Sequence, residues 1–228
     1  MISIKREPYV IVDHKQERGL TYDLIDIFNQ VQDKYHFAVK IIPTRRLHKH
    51  ARDGDNNIVM WDHPDWGWKN VGVSLPLVTT QDIYIAHRDY VNGDQSYFDD
   101  LTDKSIAAVR GYHYQFNDAQ ARKENKYNIR YVTTDTITIK MALYKRSQVA
   151  LTSNISLGWF LRQNPAETSK LVVANKIDDQ FQRYILTPMQ SKVSIDEINH
   201  ILKVADQKNL LAPVYQKYGL APPNFTFQ

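Results

Sequence analysis

Short β-rich runs alternate with longer amphipathic runs along most of this 228-residue chain. The β-rich runs contain many β-branched residues and have turn residues around them, which predicts strands. Because strands that alternate with helices form mostly parallel sheets, the pattern predicts an α/β fold. The predicted strands span 38–44, 56–61, 83–88, 105–111, 129–134, 149–153, 171–176 and 183–188.

The amphipathic runs have the spacing of helices. The run DTITIKMALYKR (135–146) opens with Asp135, which can serve as its N-cap. The last run begins with Ser194 and Glu197 at the spacing of a capping box and ends near Gly219, a candidate C-cap. The first run carries an apolar stripe at the helical repeat, formed by Leu20, Leu24, Ile27, Phe28 and Val31.

The number of predicted strands is high for one small sheet, so two α/β lobes are expected. The chain must then cross between the lobes in extended segments that contain few turn residues. The stretches TTQDIYIAH (79–87) and DQFQRYILTP (179–188) have this character. The C-terminal helical region is expected to return to the first lobe.

The composition excludes several kinds of site. The chain has no cysteine, which excludes disulfides, thiolate metal ligands and a cysteine nucleophile. The formal net charge is only +4, and the densest basic patch, RRLHKHAR (45–52), is followed at once by DGD. The sequence therefore predicts no nucleic-acid partner, since that would need a clustered basic face. No apolar run reaches the roughly 18 residues of a membrane span.

Motifs for catalysis and metal binding are missing from the sequence. It contains no G-x-S-x-G, H-E-x-x-H or phosphate-binding loop, and its carboxylates fall into no recognisable acid–base pair. Five residues are of metal-ligand types, but their spacing matches no known site. We therefore predict no cofactor, no metal and no catalytic residue; the five residues are His48, His50, Asp53, Asp55 and His63.

Seven short motifs, in the right order and at about the right spacing, resemble those of a known family. That family is the type II periplasmic solute-binding proteins, in the bacterial extracellular solute-binding family 3, which includes the polar amino-acid receptors. The similarity covers nearly the whole chain. The motifs are EPYVI (7–11), GLTYDLIDIF (19–28), ARDGDNNIVM (51–60), VSLPL (73–77), DDLTDKSIAAVRGYHY (99–114), KRSQVALTSNIS (145–156) and LLAPVYQKYGL (210–220).

The resemblance implies two lobes, each a mostly parallel sheet flanked by helices. Lobe one is expected to comprise 1–86 plus 186–228 and lobe two 87–185, with hinge crossovers near 83–88 and 183–188. Proteins of this kind close by hinge motion around a small solute. The place to look for a site does not depend on the family, because open α/β sheets bind ligands beyond the carboxyl ends of their strands.

The chain departs from the family at both ends of the amino-acid clamp. Where the family has an Arg for the ligand carboxylate, the two possible alignments reach Gly67 or Lys69, and Lys lacks the planar fork of Arg. Where the family often has an Asp for the ligand ammonium, this chain has Ser153 and Asn154. An ordinary α-amino acid is therefore a less expected ligand than the family name suggests.

The other side chains of the expected cleft are mostly aromatic and cationic, and they include Asp62 and Tyr114. A helix is expected to begin at residues 110–114, where free backbone N–H groups would suit an anion. An alternative interpretation of the tryptophans is that they pack over the edge of a core. The alternative for His113 is an exposed side chain without a ligand contact. The predicted ligand-binding residues are Arg6, Tyr9, Arg46, Trp61, Trp66, Trp68, Lys69, Arg110, Tyr112, His113, Ser153 and Asn154.

Three functions remain open at this stage. The first is a monomeric periplasmic protein that captures a small polar or anionic solute, aromatic solutes included, for an ABC-type transporter. It would have lost its signal peptide, because MISIKREPYV lacks the apolar segment of one; a cytosolic chain would lack it too. The second is a ligand-sensing domain of a membrane receptor, such as a histidine kinase or diguanylate cyclase. The third is an enzyme on this fold.

Overall fold

A computed structural model describes residues 1–13, 16–47, 49 and 58–225. The chain forms two compact units: unit 1 is Met1–Thr79 with Phe181–Gln228, and unit 2 is Thr80–Gln180. The predicted metal-ligand types at His48, His50, Asp53 and Asp55 lie outside the described residues, as do Ala51 and Arg52 of the basic patch.

Unit 1 is built on a sheet whose parallel core has the order β4–β1–β5. The end of a long strand, β11, runs antiparallel between β5 and β6. A two-stranded hairpin, β2–β3, follows the first turn. These strands are β1 Ile2–Ser3, β2 Ile11–Asp13, β3 Gln16–Arg18, β4 Lys40–Ile41, β5 Val59–Asp62, β6 Val71–Val73 and β11 Leu171–Pro188.

Unit 2 has the sheet order β7–β10–β8–β9. Strands β8, β9 and β10 are parallel, while β7 runs antiparallel to β10. The chain leaves unit 1 between Thr79 and Thr80, inside β7, and returns between Gln180 and Phe181, inside β11. The strands are β7 Val78–His87, β8 Ser105–Val109, β9 Asn128–Val132 and β10 Val149–Ser153.

The predicted α/β class with mostly parallel strands is confirmed. Seven α-helices of the described residues accompany the sheets, and none of these residues forms a helix long and apolar enough to cross a membrane. The helices are α1 Leu20–Val31, α2 Arg88–Val91, α3 Ala119–Glu124, α4 Asp135–Leu143, α5 Asn154–Gln163, α6 Ile195–Gln207 and α7 Leu211–Lys217.

Both faces of β8 are buried, as expected for a central parallel strand. Ile106 and Ala108 belong to one apolar cluster with Phe98 and Leu151. Ala107, which points to the other face, packs in a second cluster below α4 and α5. The parallel sheet of unit 2 is therefore covered on both sides, and its polar side chains collect at the strand ends.

Several local predictions need correction. The predicted strands 171–176 and 183–188 are parts of the single strand β11, and the C-terminal helical run divides into α6 and α7. The break between these helices occurs at Asn209, which has a left-handed φ of 55°. The capping box of Ser194 and Glu197 is present.

Two predicted caps are displaced by one residue. The N-cap of α4 is Thr134, whose side chain accepts from the N–H of Ile137, while Asp135 is the first helical residue. At the end of α7 the C-cap is Tyr218, and Gly219 follows it with a φ of 75°, the usual place of glycine in this motif.

Candidate functional site

The parallel strands of unit 2 end in polar and aromatic residues. Arg110–Tyr114 follow β8, Asp135 follows β9 after a short turn, and Ser153 is the last residue of β10. The carboxyl ends of parallel strands lie at one edge of a sheet, which is where α/β proteins bind ligands. These residues therefore form the candidate site of unit 2.

The segment after β8 is a loop, not the start of a helix. The next helix, α3, begins only at Ala119, with the Asp118 carboxylate accepting from the N–H of Ala121 at 2.8 Å. Gly111, with a φ of 86°, turns the chain directly after β8. The expected helix start over 110–114 is therefore wrong, because the N-cap of the helix, Asp118, lies four to eight residues later.

The N–H groups of this loop already hold an anion from the same unit. Asp178, on β11, accepts from the backbone N–H of Gln115 at 2.8 Å and of Phe116 at 2.9 Å. Its Oδ1 also accepts from the Tyr84 hydroxyl at 2.5 Å. Burial raises the pKa of the Asp178 carboxyl, while these three hydrogen bonds act in the opposite direction. Burial and the Asp178 hydrogen bond together raise the pKa of Tyr84.

Asp135 connects all three strand ends of unit 2. The residue is 2% exposed, and its Oδ1 accepts from the backbone N–H of Ser153 at 3.0 Å and the Thr152 hydroxyl at 3.2 Å. Its Oδ2 accepts from the Tyr112 hydroxyl at 3.2 Å. Sequence reasoning assigned Asp135 to a cap and missed this position. The available signal was an acid directly after a predicted strand.

The structure gives Ser153 and Asn154 structural bonding partners. Ser153 is 1% exposed and is the N-cap of α5, accepting from the N–H of Ser156 at 3.1 Å. The Asn154 Oδ1 accepts from the backbone N–H of Gln81 at 3.0 Å and from the Thr80 hydroxyl at 3.3 Å. These bonds fix α5 to the beginning of the β7 segment in unit 2.

A cavity of about 170 Å³ lies beside the loop after β8. The Arg110 guanidinium lies 5.7 Å from the ring centroid of Tyr131. Arg122 Nη1 donates to the Asn117 carbonyl at 2.7 Å, and Asn117 Nδ2 donates to the Tyr131 hydroxyl at 3.0 Å. His113 is exposed and is not among the residues around the cavity. The side chains that line it are Arg110, Tyr112, Tyr114, Asn117, Arg122 and Tyr131.

In unit 1, Trp61 is the last residue but one of β5 and is buried, with 4% exposed. Its indole N–H donates to the Thr21 hydroxyl at 2.8 Å, and its ring lies 4.6 Å from that of Tyr9. Its φ of 64° is unusual for a large side chain and indicates local strain. The Trp61 side chain is thus held inside unit 1 by residues from the first turn and from α1.

Trp66 belongs to a different group of side chains. It is half-buried and lies 4.8 Å from Phe181 and 5.6 Å from His63, measured between ring centroids. The Arg183 guanidinium lies 5.4 Å from the Trp66 ring and 4.9 Å from the Phe181 ring. Its Nη1 also donates to the Trp61 carbonyl at 3.0 Å.

Arg183 is the largest fully buried side chain in the described residues, with 1% exposed. Sequence reasoning did not single it out, because an Arg within the strand-like stretch QRYIL gives no signal of which way it points. The Arg183 guanidinium lies near two aromatic rings, those of Trp66 and Phe181, and forms a cation–π group with them in unit 1.

The other predicted residues of unit 1 differ in exposure. Trp68 is half-buried against the apolar cluster around Ile2 and Leu186, whereas Lys69 is exposed. Arg6 and Tyr9 lie in the turn after β1 and are buried, and Arg46 is exposed at the end of a short 3₁₀ helix.

The helix N-terminus nearest to these residues is closed by backbone contacts. The N–H of Leu20 donates to the Pro8 carbonyl at 3.0 Å, and that of Thr21 donates to the Tyr9 carbonyl at 2.9 Å. These two donors at the start of α1 are therefore satisfied by the turn that carries Tyr9. Among the described residues no cluster of three histidines or acids could hold a metal ion.

Comparison with known proteins identifies the fold. No protein-family model matches the chain, and no curated protein matches it either. Solved structures do match it over nearly its full length, as the next three examples show.

An ABC uptake transporter substrate binding protein from Streptococcus pneumoniae, with bound histidine, has a TM-score of 0.78 at 13% identity, covering 99% of this chain and 94% of that chain. The GluR0 ligand-binding core from Nostoc punctiforme, in complex with L-glutamate, has a TM-score of 0.74 at 17% identity, covering 96% and 97%. The ancestral amino acid-binding protein AncCDT-1, a precursor of cyclohexadienyl dehydratase, has a TM-score of 0.70 at 19% identity, covering 95% and 93%. The chain therefore has the two-lobed fold that the sequence motifs imply.

Proposed function

We propose that the protein is an extracytoplasmic solute-binding protein that captures a small polar or anionic solute for an ABC-type transporter. The observation that carries the proposal is that a fold known from substrate-binding proteins has arginines and aromatic side chains at its strand ends. The fold is that of solved substrate-binding proteins, and the strand ends carry arginines and aromatic side chains, as at Arg110 and Trp66. The hinge closure that the sequence motifs imply is part of this proposal.

The bonding of the strand-end residues supports a solute other than an ordinary α-amino acid. An α-amino acid needs a carboxylate for its ammonium group and a cation for its carboxylate. Asp135 already accepts three hydrogen bonds, and the Ser153 and Asn154 side chains are bonded within unit 2. Trp66 is half-buried in an aromatic group with Phe181 and His63 after β5, and this concentration of aromatic side chains favours a solute with a ring.

A thermal-shift screen tests both parts of the proposal. One panel contains the twenty amino acids, and a second contains aromatic and carboxylated solutes without an α-amino group. A bound solute stabilises the native state by mass action, so we expect a saturable rise in Tm with the second panel only. A strong, saturable rise with an amino acid would show that the ligand class is misassigned.

Two variants locate the response. Trp66→Ala should abolish the Tm shift of an aromatic solute, whereas Lys203→Ala, which removes an exposed lysine from α6 elsewhere in unit 1, should keep it. If neither panel shifts Tm at millimolar concentration, the solute-binding proposal fails.

A sensory role is the second candidate, and one observation favours it. The GluR0 ligand-binding core, a ligand-binding part of a larger protein by its description, covers this chain over 96% of its length. Sequencing downstream of the region that encodes Gln228 separates the two roles. A transmembrane segment there would favour sensing, and a stop codon after a leader-bearing gene would favour transport.

A further inference from the structure

We propose that the cavity between Arg110, Arg122 and Tyr131 is a binding site for a small oxyanion, such as a carboxylate, phosphate or sulfate group. All residues of this site belong to unit 2. Because Arg110 also supports the proposed solute site, this inference rests in part on the proposed function, but the titration below detects the anion whether or not a solute is transported.

The cavity carries positive charge that no acid pairs with among the described residues. Neither the Arg110 nor the Arg122 guanidinium forms an ion pair within the part of the chain that the structure describes. The two acids nearest to Arg122 in the sequence have other partners, since Glu124 accepts from the Gln120 side chain and Asp118 is the N-cap of α3. Two cations that line one small cavity produce a local positive potential, which attracts an anion.

The residues at the cavity also supply hydrogen-bond donors. A guanidinium has five N–H donors, and Arg122 uses one of them on the Asn117 carbonyl at 2.7 Å. That bond fixes the position of the side chain and leaves the remaining donors for a ligand. The Tyr131 hydroxyl accepts from Asn117 Nδ2 at 3.0 Å, so its own proton can be donated into the cavity. Arginine pairs with planar and tetrahedral oxyanions through two parallel bonds.

The backbone N–H groups that could compete for an anion are already in use. The N–H groups of Gln115 and Phe116, in the same loop, both donate to the Asp178 carboxylate. An anion that approaches the loop therefore finds these donors in use, while most of the guanidinium donors at the cavity remain available. The donors that remain for an external anion at the cavity are therefore mainly those of the arginines.

The size of the cavity limits the ligand. Its volume of about 170 Å³ is small beside the roughly 300–1,000 Å³ of sites for drug-sized molecules. It suits one oxyanion group, either free or at the end of a larger solute. The Tyr131 ring, against which Arg110 packs, supplies the apolar wall.

The test is an NMR titration of the ¹⁵N-labelled chain with three probes: inorganic phosphate, sulfate and benzoate. Each titration is matched by sodium chloride at the same ionic strength, because exposed charges are screened by salt. We expect a saturable shift of the Gly111 amide, which lies at the cavity, with at least one probe. Saturation by phosphate and sulfate alone identifies a tetrahedral oxyanion, and saturation by benzoate alone identifies a carboxylate.

Three variants decide whether the cavity carries the binding. Arg122→Gln should weaken binding about tenfold or more, the usual effect of losing a charge-assisted pair. Arg122→Lys keeps the charge but lacks the fork, so it should also weaken binding. Arg162→Gln removes an exposed arginine from α5, elsewhere in unit 2, and should leave the affinity unchanged.

The proposal is overturned if no probe saturates, if Arg122→Gln binds as tightly as the original chain, or if Arg162→Gln weakens binding as much as Arg122→Gln does. Melting curves without anion check that each variant folds. If Arg122→Gln is unfolded, Arg110→Gln takes its place and must show the same weakening.

Discussion

Asp178 on β11 accepts a hydrogen bond from the Tyr84 hydroxyl on β7 at 2.5 Å, and the same carboxylate accepts from two consecutive N–H groups of the loop after β8. One side chain thereby connects three segments of unit 2. The loop carries Tyr112 and His113, so its conformation depends on Asp178. In this chain an internal acid occupies the backbone donors that a ligand anion could otherwise use.

Asp178→Asn should therefore loosen the loop. An amide side chain has one acceptor oxygen, so the N–H of Gln115 or Phe116 loses its partner and faces an NH₂ group. We expect a loss of about 1 kcal/mol in the free energy of unfolding, because the unpaired donor costs more than the relief of a partly buried charge returns. Amide hydrogen exchange at Gln115 and Phe116 should become faster.

The neighbouring acid provides the control for this loop. Asp179 accepts from the side-chain amide of Gln115 at 3.3 Å, not from its backbone N–H. Asp179→Asn should therefore leave exchange at the two loop amides unchanged. Equal exchange rates in Asp178→Asn and the original chain would contradict the role given to Asp178.

Thr21→Val should destabilise unit 1 through Trp61. Both residues are buried, and the indole N–H has the Thr21 hydroxyl as its acceptor at 2.8 Å. Valine has nearly the same shape but cannot accept a bond, so a buried donor is left unsatisfied at a cost of about 1–3 kcal/mol. Urea unfolding measures this loss.

A double-mutant cycle isolates the bond. In a Trp61→Phe background the donor is gone, so adding Thr21→Val should cost close to nothing further. A Thr21→Val loss of the same size in both backgrounds would mean that the hydrogen bond is not its cause.

The features that sequence predicts here are those set by local periodicity. The stripe of Leu20, Leu24, Ile27 and Phe28 follows the helical repeat, and these four residues are buried in α1 as expected. The α/β class follows in the same way from the alternation of strands and helices. The capping box at Ser194 is also local, since its two partners are three residues apart.

The surroundings of the candidate residues depend on partners far away in sequence. The indole of Trp61 meets a hydroxyl 40 residues away, and its carbonyl meets an arginine 122 residues away. The loop after β8 is shaped by Asp178, which is 62 residues from Phe116. No short motif contains such pairs, so the sequence identified the strand ends but could not give the bonding of each side chain.

Gly19→Ala should be among the most damaging substitutions in unit 1. Gly19 has a φ of 129°, and a Cβ there would lie 2.6 Å from the Tyr9 carbonyl oxygen and 2.7 Å from that of Pro8. Both contacts are with backbone atoms, so the turn that holds Tyr9 would have to move away from α1. We expect the free energy of unfolding to fall by at least about 2 kcal/mol more than it would for a Gly→Ala change at a positive φ without a steric clash.

Gly93→Ala supplies that reference. Gly93 also has a positive φ, of 81°, but a Cβ there meets no atom within 4 Å. Its cost should be the backbone term only, about 1–2 kcal/mol. Similar urea midpoints for the two variants would show that the close approach at Gly19 is not what requires glycine.

A charged network fastens the start of α6 to the segment after α1. Glu197 accepts from Lys34 Nζ and from the Tyr35 hydroxyl at 2.7 Å, and its other oxygen accepts from the backbone N–H of Ser194 at 2.9 Å. The Lys34 bond and then the Ser194 N–H are the main causes that lower the pKa of Glu197 from 4.5 to about 2.

Glu197→Gln should change how unit 1 responds to acid. A folded-state pKa below the unfolded value means that the carboxylate stabilises the fold above about pH 4.5, and that this contribution is lost as the pH falls towards 2. Glutamine still completes a capping box, so the variant removes the charge and keeps the cap. The urea midpoint of Glu197→Gln should therefore lie below that of the original chain near neutral pH and converge with it towards pH 2. Asp196→Asn removes a carboxylate from the same helical turn that has no ion-pair partner within the described residues, and its midpoint should differ less at neutral pH. A Glu197→Gln chain that follows the original at every pH would show that the network adds no stability.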